Sequence, residues 1–276
     1  MRCIPAIQID FMNERLVSVI MPTYNSARWV AESIDSVLSQ TYHELELIIA
    51  DDCSTDNTCD ILRKYEVKDS RVKVIYADKN LGAGQTRNKC IEAAQGRYLA
   101  FCDSDDRWMP TKLEKQLAFL HEKDCCMVYS SYITCNEQGD NKGVIIAPSR
   151  QSLFQTKCDD KIGFLTCLYD TKKTGGKMFM PALRKRQDYA YVLQILQRCQ
   201  YAYGMKEPLA YYRLHPESIS ANKWSLVKYE MLVWQTVFGD SKLHSFLFFC
   251  FCFMPTYTLK KINTRIHNLQ KEKYIK

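Results

Sequence analysis

The run Leu16-Val17-Ser18-Val19-Ile20-Met21-Pro22-Thr23-Tyr24-Asn25 decides the fold. Its first six residues are largely apolar and β-branched, and Pro22 stops them, which predicts a short buried strand. Residues 26–40 follow, with Trp29, Val30, Ile34, Val37 and Leu38 at helical spacing. The alternation then repeats. Residues 45–50 predict a second buried strand, 56–65 a helix capped by Ser54 or Thr55, and Val72–Tyr76 a third strand. Residues 83–94 predict a helix closed by Gly96, and 98–102 a fourth strand. Strands alternating with helices of this length predict a parallel α/β sheet.

Beyond residue 105 the pattern loosens. Lys112–Glu122 predicts a helix with Pro110 near its start. Residues 127–134 and 144–146 predict strands around a turn at Gly139-Asp140-Asn141. Residues 189–198 predict a helix, 209–214 a short strand, and 221–239 and 257–273 further helices. Pro255 is expected to interrupt the last apolar stretch. The chain of 276 residues is 46% hydrophobic and 25% charged, which fits a globular protein and excludes a disordered or fibrous one. Thirteen cysteines contain no C-x-x-C pair, so structural zinc is set aside. Residues 1–15 carry no apolar leader run, and reduced thiols in a cytoplasmic protein are expected.

In a parallel α/β sheet, ligands bind outside the carboxyl ends of the strands. Here those ends lead into Pro22-Thr23-Tyr24-Asn25, Asp51-Asp52-Cys53-Ser54, Asn80-Leu81-Gly82 with Arg87 and Asn88 beyond, and Asp103-Ser104-Asp105-Asp106. Polar loops with Asp and Ser caps are ordinary in such folds, but four in register with two carboxylate clusters point to a site. No G-x-G-x-x-G follows the first strand and no G-x-x-x-x-G-K-[ST] occurs, so a dinucleotide dehydrogenase and a P-loop NTPase fall away. What remains is acidic. Asp103 and Asp105 offer hard oxygens to Mg²⁺ or Mn²⁺, ions that take one or two carboxylates plus substrate phosphates.

In this order the motifs resemble family 2 glycosyltransferases of the GT-A fold, of the kind that builds bacterial surface polysaccharide. The resemblance runs from Val19-Ile20-Met21-Pro22-Thr23-Tyr24-Asn25 through Glu46-Leu47-Ile48-Ile49-Ala50-Asp51-Asp52 and Phe101-Cys102-Asp103-Ser104-Asp105-Asp106. It continues to Arg184-Lys185-Arg186-Gln187-Asp188-Tyr189 and Tyr211-Tyr212-Arg213-Leu214-His215-Pro216. Cys53 stands where the family usually has Gly, and Gln187 where Glu is common. The resemblance implies a mostly parallel sheet flanked by helices over 16–220, with a nucleotide-sugar half (about 16–106) and an acceptor half (about 107–220). Residues 1–15 form an N-terminal extension and 221–276 a helical C-terminal one. It implies that Pro22, Tyr24, Asp51, Asp52, Gly82, Arg87 and Asp103 meet the nucleotide sugar. Asp103, Asp105 and His215 would hold Mn²⁺ or Mg²⁺, with Arg213 in support, and Asp188 would be the general base. The implied reaction is inverting transfer from a UDP-sugar to a lipid-diphosphate-linked saccharide. Selectivity is expected in the region 150–188.

The net charge is +7, and residues 221–276 hold nine basic against three acidic residues. Between Lys242 and Lys260 no Asp, Glu, Lys or Arg occurs, and residues 246–254 are strongly apolar. That stretch is short for a span and reads as an interfacial anchor on an anionic membrane surface, or as a helix packed on the domain. A peripheral position on the inner face of a bacterial cell membrane is expected. The basic tail suggests an anionic partner, membrane or nucleic acid; the nucleic-acid reading rests on the tail alone, and no nucleic acid is expected as a partner. Two alternatives stay open on sequence: a metal-dependent sugar nucleotidyltransferase, and a non-catalytic nucleotide-sugar-binding membrane module.

Overall fold

The computed structural model describes residues 13–215 and 223–258. The first half alternates β1 (Asn13–Thr23), α1 (Val30–Leu38), β2 (Leu45–Asp51), α2 (Thr58–Lys68), β3 (Val72–Tyr76), α3 (Ala83–Ala93) and β4 (Gly96–Phe101). The second half runs β5 (Arg107–Trp108), α4 (Lys112–Glu122), β6 (Met127–Cys135), β7 (Asn141–Ile145), β8 (Arg150–Gln151), α5 (Leu153–Cys158), β9 (Leu168–Asp170) and α6 (Thr171–Thr174). It closes with α7 (Gln187–Leu196), β10 (Ala202–Arg213), α8 (Lys223–Phe238) and α9 (Lys242–Phe248).

The sheet order is β3-β2-β1-β4-β9-β6-β10-β5, with β7 on β6 and β8 on β10. The strands β3, β2, β1 and β4 are parallel, and β9 runs antiparallel to both β4 and β6. Alternate side chains serve two cores. Val17, Val19 and Met21 with Leu45, Leu47 and Ile49 face α1, α2 and α4, where Ile34, Leu62 and Leu117 meet them. Ile20, Ile48, Ala50, Leu99 and Phe101 face α3 and α7, against Cys90, Ile91, Val192 and Ile195. Burial on both faces explains why these strands read as near-continuous apolar runs. The register pairs Thr23 with Asp51 and Asp51 with Tyr76, so the carboxyl ends of three strands lie in one row. All cysteines among the described residues are free of disulfides.

Several local expectations are corrected. Gly96 does not close α3 but opens β4; a Cβ there would lie 2.5 Å from the Leu16 carbonyl oxygen, so glycine permits close strand approach. Ser54 and Thr55 do not cap α2, because they are engaged with Asp51 and Asn25. Asp56 instead accepts the Thr58 and Ala27 N–H groups. The last strand begins at Ala202 rather than 209, with register irregularities on both sides of Pro208. Proline reads as a strand breaker, and here the chain accommodates it by bulging. Pro255 does not interrupt its helix: a π-helical turn over Phe249–Phe253 precedes it, and helical backbone continues to residue 258. The rest of the expected helix 257–273 lies outside the described residues, as do residues 1–12 of the N-terminal extension.

One buried charge stands out. Lys112 is fully buried at the start of α4, its Nζ has no hydrogen-bond partner among the described residues, and it lies 3.8 Å from the Trp108 ring centroid. Burial pulls its amine down to about 7. Between that value and the unfolded-state value of about 10.4, the unfolded chain binds a proton that the folded chain does not. Stability should therefore rise with pH across this window. Lys112→Met should raise stability at pH 7 by a few kcal/mol and flatten the rise. Urea unfolding at pH 7, 8 and 9 measures both effects, and an unchanged slope would contradict this account.

Candidate active site

The loops after β1 and β2 are latched together. Asn25, with φ of 48°, donates its N–H to Ser54 Oγ at 2.9 Å and accepts the Thr55 N–H at 2.8 Å. Pro22 is buried at the strand end, while the Tyr24 ring beyond it is 50% exposed and presents a free face. Asp51 accepts both the N–H and the hydroxyl of Ser54. Asp52 accepts the Leu81 N–H at 2.7 Å on one oxygen and the Gly82 N–H at 2.8 Å on the other. These two aspartates thus set the shape of the loops. Cys53 sits at φ 63°, in the left-handed region that favours glycine, and its thiol donates to the Ala77 carbonyl. Gly82, at φ 81°, opens α3, whose first turn has no side-chain cap and leaves backbone N–H groups at the strand ends.

Asp103, Asp105 and Asp106 bring carboxylate oxygens within 4.8 Å of one another. Arg87, buried on α3, donates to Asp103 and lies over the Phe164 ring. Burial opposes the charge on Arg87, but Asp103, Asp188 and Asp105 outweigh it and raise its pKa. Burial, then Asp103, raises Asp105; His215 partly offsets this. Burial raises Asp106 well above the carboxylate range, with Asp105 and Asp103 adding to it. Asp106 accepts the Arg213 N–H at 3.0 Å and is buried, so it is a structural member of the group. The Arg213 guanidinium donates to the Asp105 carbonyl, the Glu137 carbonyl and the Glu32 carboxylate.

His215 Nε2 lies 2.8 Å from Asp105 Oδ2, and its ring packs against Trp29 with centroids 5.0 Å apart. Its Nδ1 is buried without a partner among the described residues. Crowded carboxylates whose ionisation is mutually opposed, an all-oxygen face and an adjacent imidazole fit a hard divalent cation.

The other wall comes from the second half of the chain. Arg186, at φ 65°, turns the backbone into α7, and Asp188 lies in its first turn. Asp188 Oδ1 accepts the Tyr189 N–H at 2.8 Å. A cavity of about 570 Å³ is lined by Asp103, Asp106, Asp160, Phe164, Asp188 and Tyr212, among others. Asp103 and Asp188 therefore open into one space although 85 positions separate them. The lining residues 160–165 fall within the stretch 150–188 singled out in the sequence.

Asp160 of this wall and Glu230 behind it, which meet through Arg186, carry no sequence signal of their own. Asp160 follows α5 in what reads as a polar turn. Arg186 reads as part of a charge run, yet its Nη2 pairs with Glu230 at 2.9 Å and its Nη1 lies 3.7 Å from Asp160. Glu230 comes from α8, in the C-terminal extension, and is buried. Only the packing of α8 on α7 brings the three together.

The family model for glycosyl transferase family 2 matches residues 18–179. TuaG of Bacillus subtilis (strain 168), named for a glycosyltransferase of teichuronic acid biosynthesis, is 43% identical over 240 residues, covering 87% of this chain and 93% of TuaG. The Escherichia coli UDP-Glc:alpha-D-GlcNAc-diphosphoundecaprenol beta-1,3-glucosyltransferase WfaP is 36% identical over 209 residues, covering 76% of this chain and 81% of WfaP. Among solved structures, S. aureus TarS with UDP-GlcNAc superposes with a TM-score of 0.66 at 22% identity, over 88% of this chain and 75% of that one. At that identity the superposition speaks for the fold, and TarS shares it.

The juncture of α3 and α7 is tight. A Cβ on Gly84 would lie 2.8 Å from Gln187 Cγ and 3.3 Å from its Cβ. Gly84→Ala should overpack this contact and cost about 1–3 kcal/mol. Adding Gln187→Ala should recover most of the loss. Urea unfolding of the two single variants and the double variant checks the coupling; simple additivity would contradict the contact.

Proposed function

We propose that this chain, which belongs to glycosyl transferase family 2, transfers a sugar from a UDP-sugar to a hydroxyl of a lipid-diphosphate-linked saccharide in cell-surface polysaccharide synthesis, inverting the anomeric centre. One observation carries this reading: the acidic turn at Asp103 and the carboxylate of Asp188 line the same cavity. The names of TuaG and WfaP support the polysaccharide context, and that of WfaP supports a UDP-sugar donor and a lipid-diphosphate acceptor. Family membership removes the nucleotidyltransferase alternative.

In this reading the exposed Tyr24 ring stacks beside uracil, on a loop shaped by Pro22. Asp51 and Asp52 hold the loops that frame the base and ribose. The uncapped first turn of α3, opened by Gly82, and the Arg87 guanidinium face the diphosphate. Asp103, Asp105 and His215 are the groups that would hold Mn²⁺ or Mg²⁺. A divalent ion there supplies charge stabilisation for the departing diphosphate. Asp188 takes the proton of the acceptor hydroxyl. That oxygen forms a bond to the anomeric carbon as the opposite bond to the diphosphate breaks, and the electron pair leaves with UDP. An α-linked donor then yields a β-glycoside. Holding donor and acceptor in line supplies much of the acceleration.

The C-terminal helices support a peripheral membrane position. Phe248, Phe249 and Phe253 pack on the core of α7 and α8 around Trp234. Leu243, Phe246, Leu247, Phe251 and Met254 stay exposed, with Phe251 at 75%. Among the described residues no helix is long and apolar enough to cross a membrane. One face is thus packed and the other available to an anionic interface, with Lys242 at its edge and further basic residues beyond 258.

Thermal shift with UDP and with GDP, each with Mn²⁺ or EDTA, tests the donor site. Ligand at a hundred times its Kd should stabilise by about 2.7 kcal/mol. UDP should act only with Mn²⁺, and Asp105→Ala should abolish that dependence. Asp188→Asn should keep UDP binding and lower transfer about 10²–10⁴-fold; undiminished turnover would remove Asp188 as the base, whereas UDP binding without any transfer by the unaltered chain would favour a binding module. In flotation with phosphatidylglycerol vesicles, the unaltered chain should rise with the lipid at low salt. Phe246→Ser with Phe251→Ser should stay below. Equal flotation of both would contradict the apolar face as the anchor.

A further inference from the structure

The cavity holds a second carboxylate that the transfer mechanism leaves unused. Asp160 lines it together with Asp188. Asp160 Oδ1 accepts the Ile162 N–H at 3.2 Å. Its Oδ2 has no hydrogen bond among the described residues; Arg186 Nη1, at 3.7 Å, is beyond hydrogen-bond reach. Burial, together with the nearby charge of Asp188, raises its pKa to about 6 against the pull of Arg186.

This carboxylate is held firmly. Gly163, three residues on, is pressed against Tyr132, where a Cβ would lie 2.6 Å from the ring. The Thr166 hydroxyl donates to the Gly163 carbonyl at 2.7 Å and closes the turn. On the far side Arg186 stacks over the Tyr189 ring and is anchored to Glu230 of α8. The cavity walls nearby are Tyr132 and Tyr212, whose rings meet edge to face with centroids 6.0 Å apart. Aromatic walls beside a carboxylate with one oxygen that accepts no hydrogen bond among the described residues match a pyranose, which has an apolar C–H face and hydroxyls at its rim.

We propose that Asp160 orients the acceptor sugar: its Oδ2 accepts a hydrogen bond from a hydroxyl adjacent to the one that Asp188 deprotonates, and the pair thereby selects which hydroxyl attacks. Asp160 gains and loses no proton in the cycle. The bond that forms is from the attacking oxygen to the anomeric carbon, the bond that breaks is to the diphosphate, and the proton goes to Asp188. Because Arg186 is braced by Glu230, α8 of the C-terminal extension completes the acceptor wall. This inference rests on the transferase reading.

The test is the full chain and Asp160→Asn, assayed with UDP-glucose and other UDP-sugars. The acceptors are synthetic alkyl-diphosphate lipids bearing α-linked GlcNAc, glucose or GalNAc. For the acceptor used, deoxy versions lacking one hydroxyl at a time are added. Asparagine keeps the shape and the bond from Ile162. The expected result is a kcat/KM for acceptor lower by about 10- to 100-fold, mostly through KM, as for loss of a hydrogen bond to a charged group. UDP affinity and melting temperature should stay unchanged. One deoxy acceptor should slow the unaltered enzyme by a similar factor and slow Asp160→Asn no further. An unchanged acceptor KM in the variant, or losses that multiply for every deoxy acceptor, overturns the inference while leaving the transferase reading intact. No transfer by the unaltered chain to any acceptor overturns both.

Discussion

Three carboxylates within 4.8 Å of one another have to be balanced by positive charge, and two buried arginines supply much of it. Arg87 reaches Asp103 from α3, and at the end of β10 the Arg213 guanidinium donates to the Asp105 carbonyl while the Arg213 backbone N–H donates to the Asp106 carboxylate. The two come from opposite halves of the chain. Their meeting at the acidic turn joins the β1–β4 half to the β6–β10 half. Burying such a group is costly unless every member is paired. Asp106 and Arg213 are spent on architecture, which leaves Asp103, beside Arg87, and Asp105, beside His215, as the less buried pair. The residual repulsion between carboxylates makes the turn receptive to a cation.

A second balance governs the opposite wall. Arg186 stands between Asp160 and Glu230, and burial raises Glu230 to about 7 despite that arginine. The helix carrying Asp188 is keyed to α8 by more than this pair. Trp234 Nε1 donates to the Tyr189 hydroxyl, which donates in turn to the Lys157 carbonyl. Lys157 pairs with Asp240 and lies over the Phe238 and Phe248 rings. The exposed apolar face of α9 is therefore mechanically continuous with the wall that bears Asp188.

The first hundred residues were largely legible. Each strand and helix there is a local pattern of apolar spacing, and their alternation points to parallel pairing. The strand-end motifs were legible for the same reason, since Asp51, Asp52 and Asp103 lie within two residues of the end of a recognisable strand and Gly82 lies in the loop that follows the third. What misled was local chemistry with a non-local cause. Gly96 has the composition of a helix stop, but its role is the approach of Leu16 from 80 residues away. Ser54 and Thr55 have the composition of caps, but the neighbouring loop claims them.

The sequence by itself determined the α/β alternation and the position of the acidic turn, because periodicity and short motifs act over a few residues, and its resemblance to family 2 glycosyltransferases made Asp188 a candidate. The tertiary structure alone decided that Asp103 and Asp188 share a cavity. It also decided that Asp51 and Asp52 spend their oxygens on loops, and that Asp160, Arg186 and Glu230 form one network. A charged side chain looks the same in sequence whether it meets water or a buried partner. Only the packing of distant elements removes the water and makes the partner.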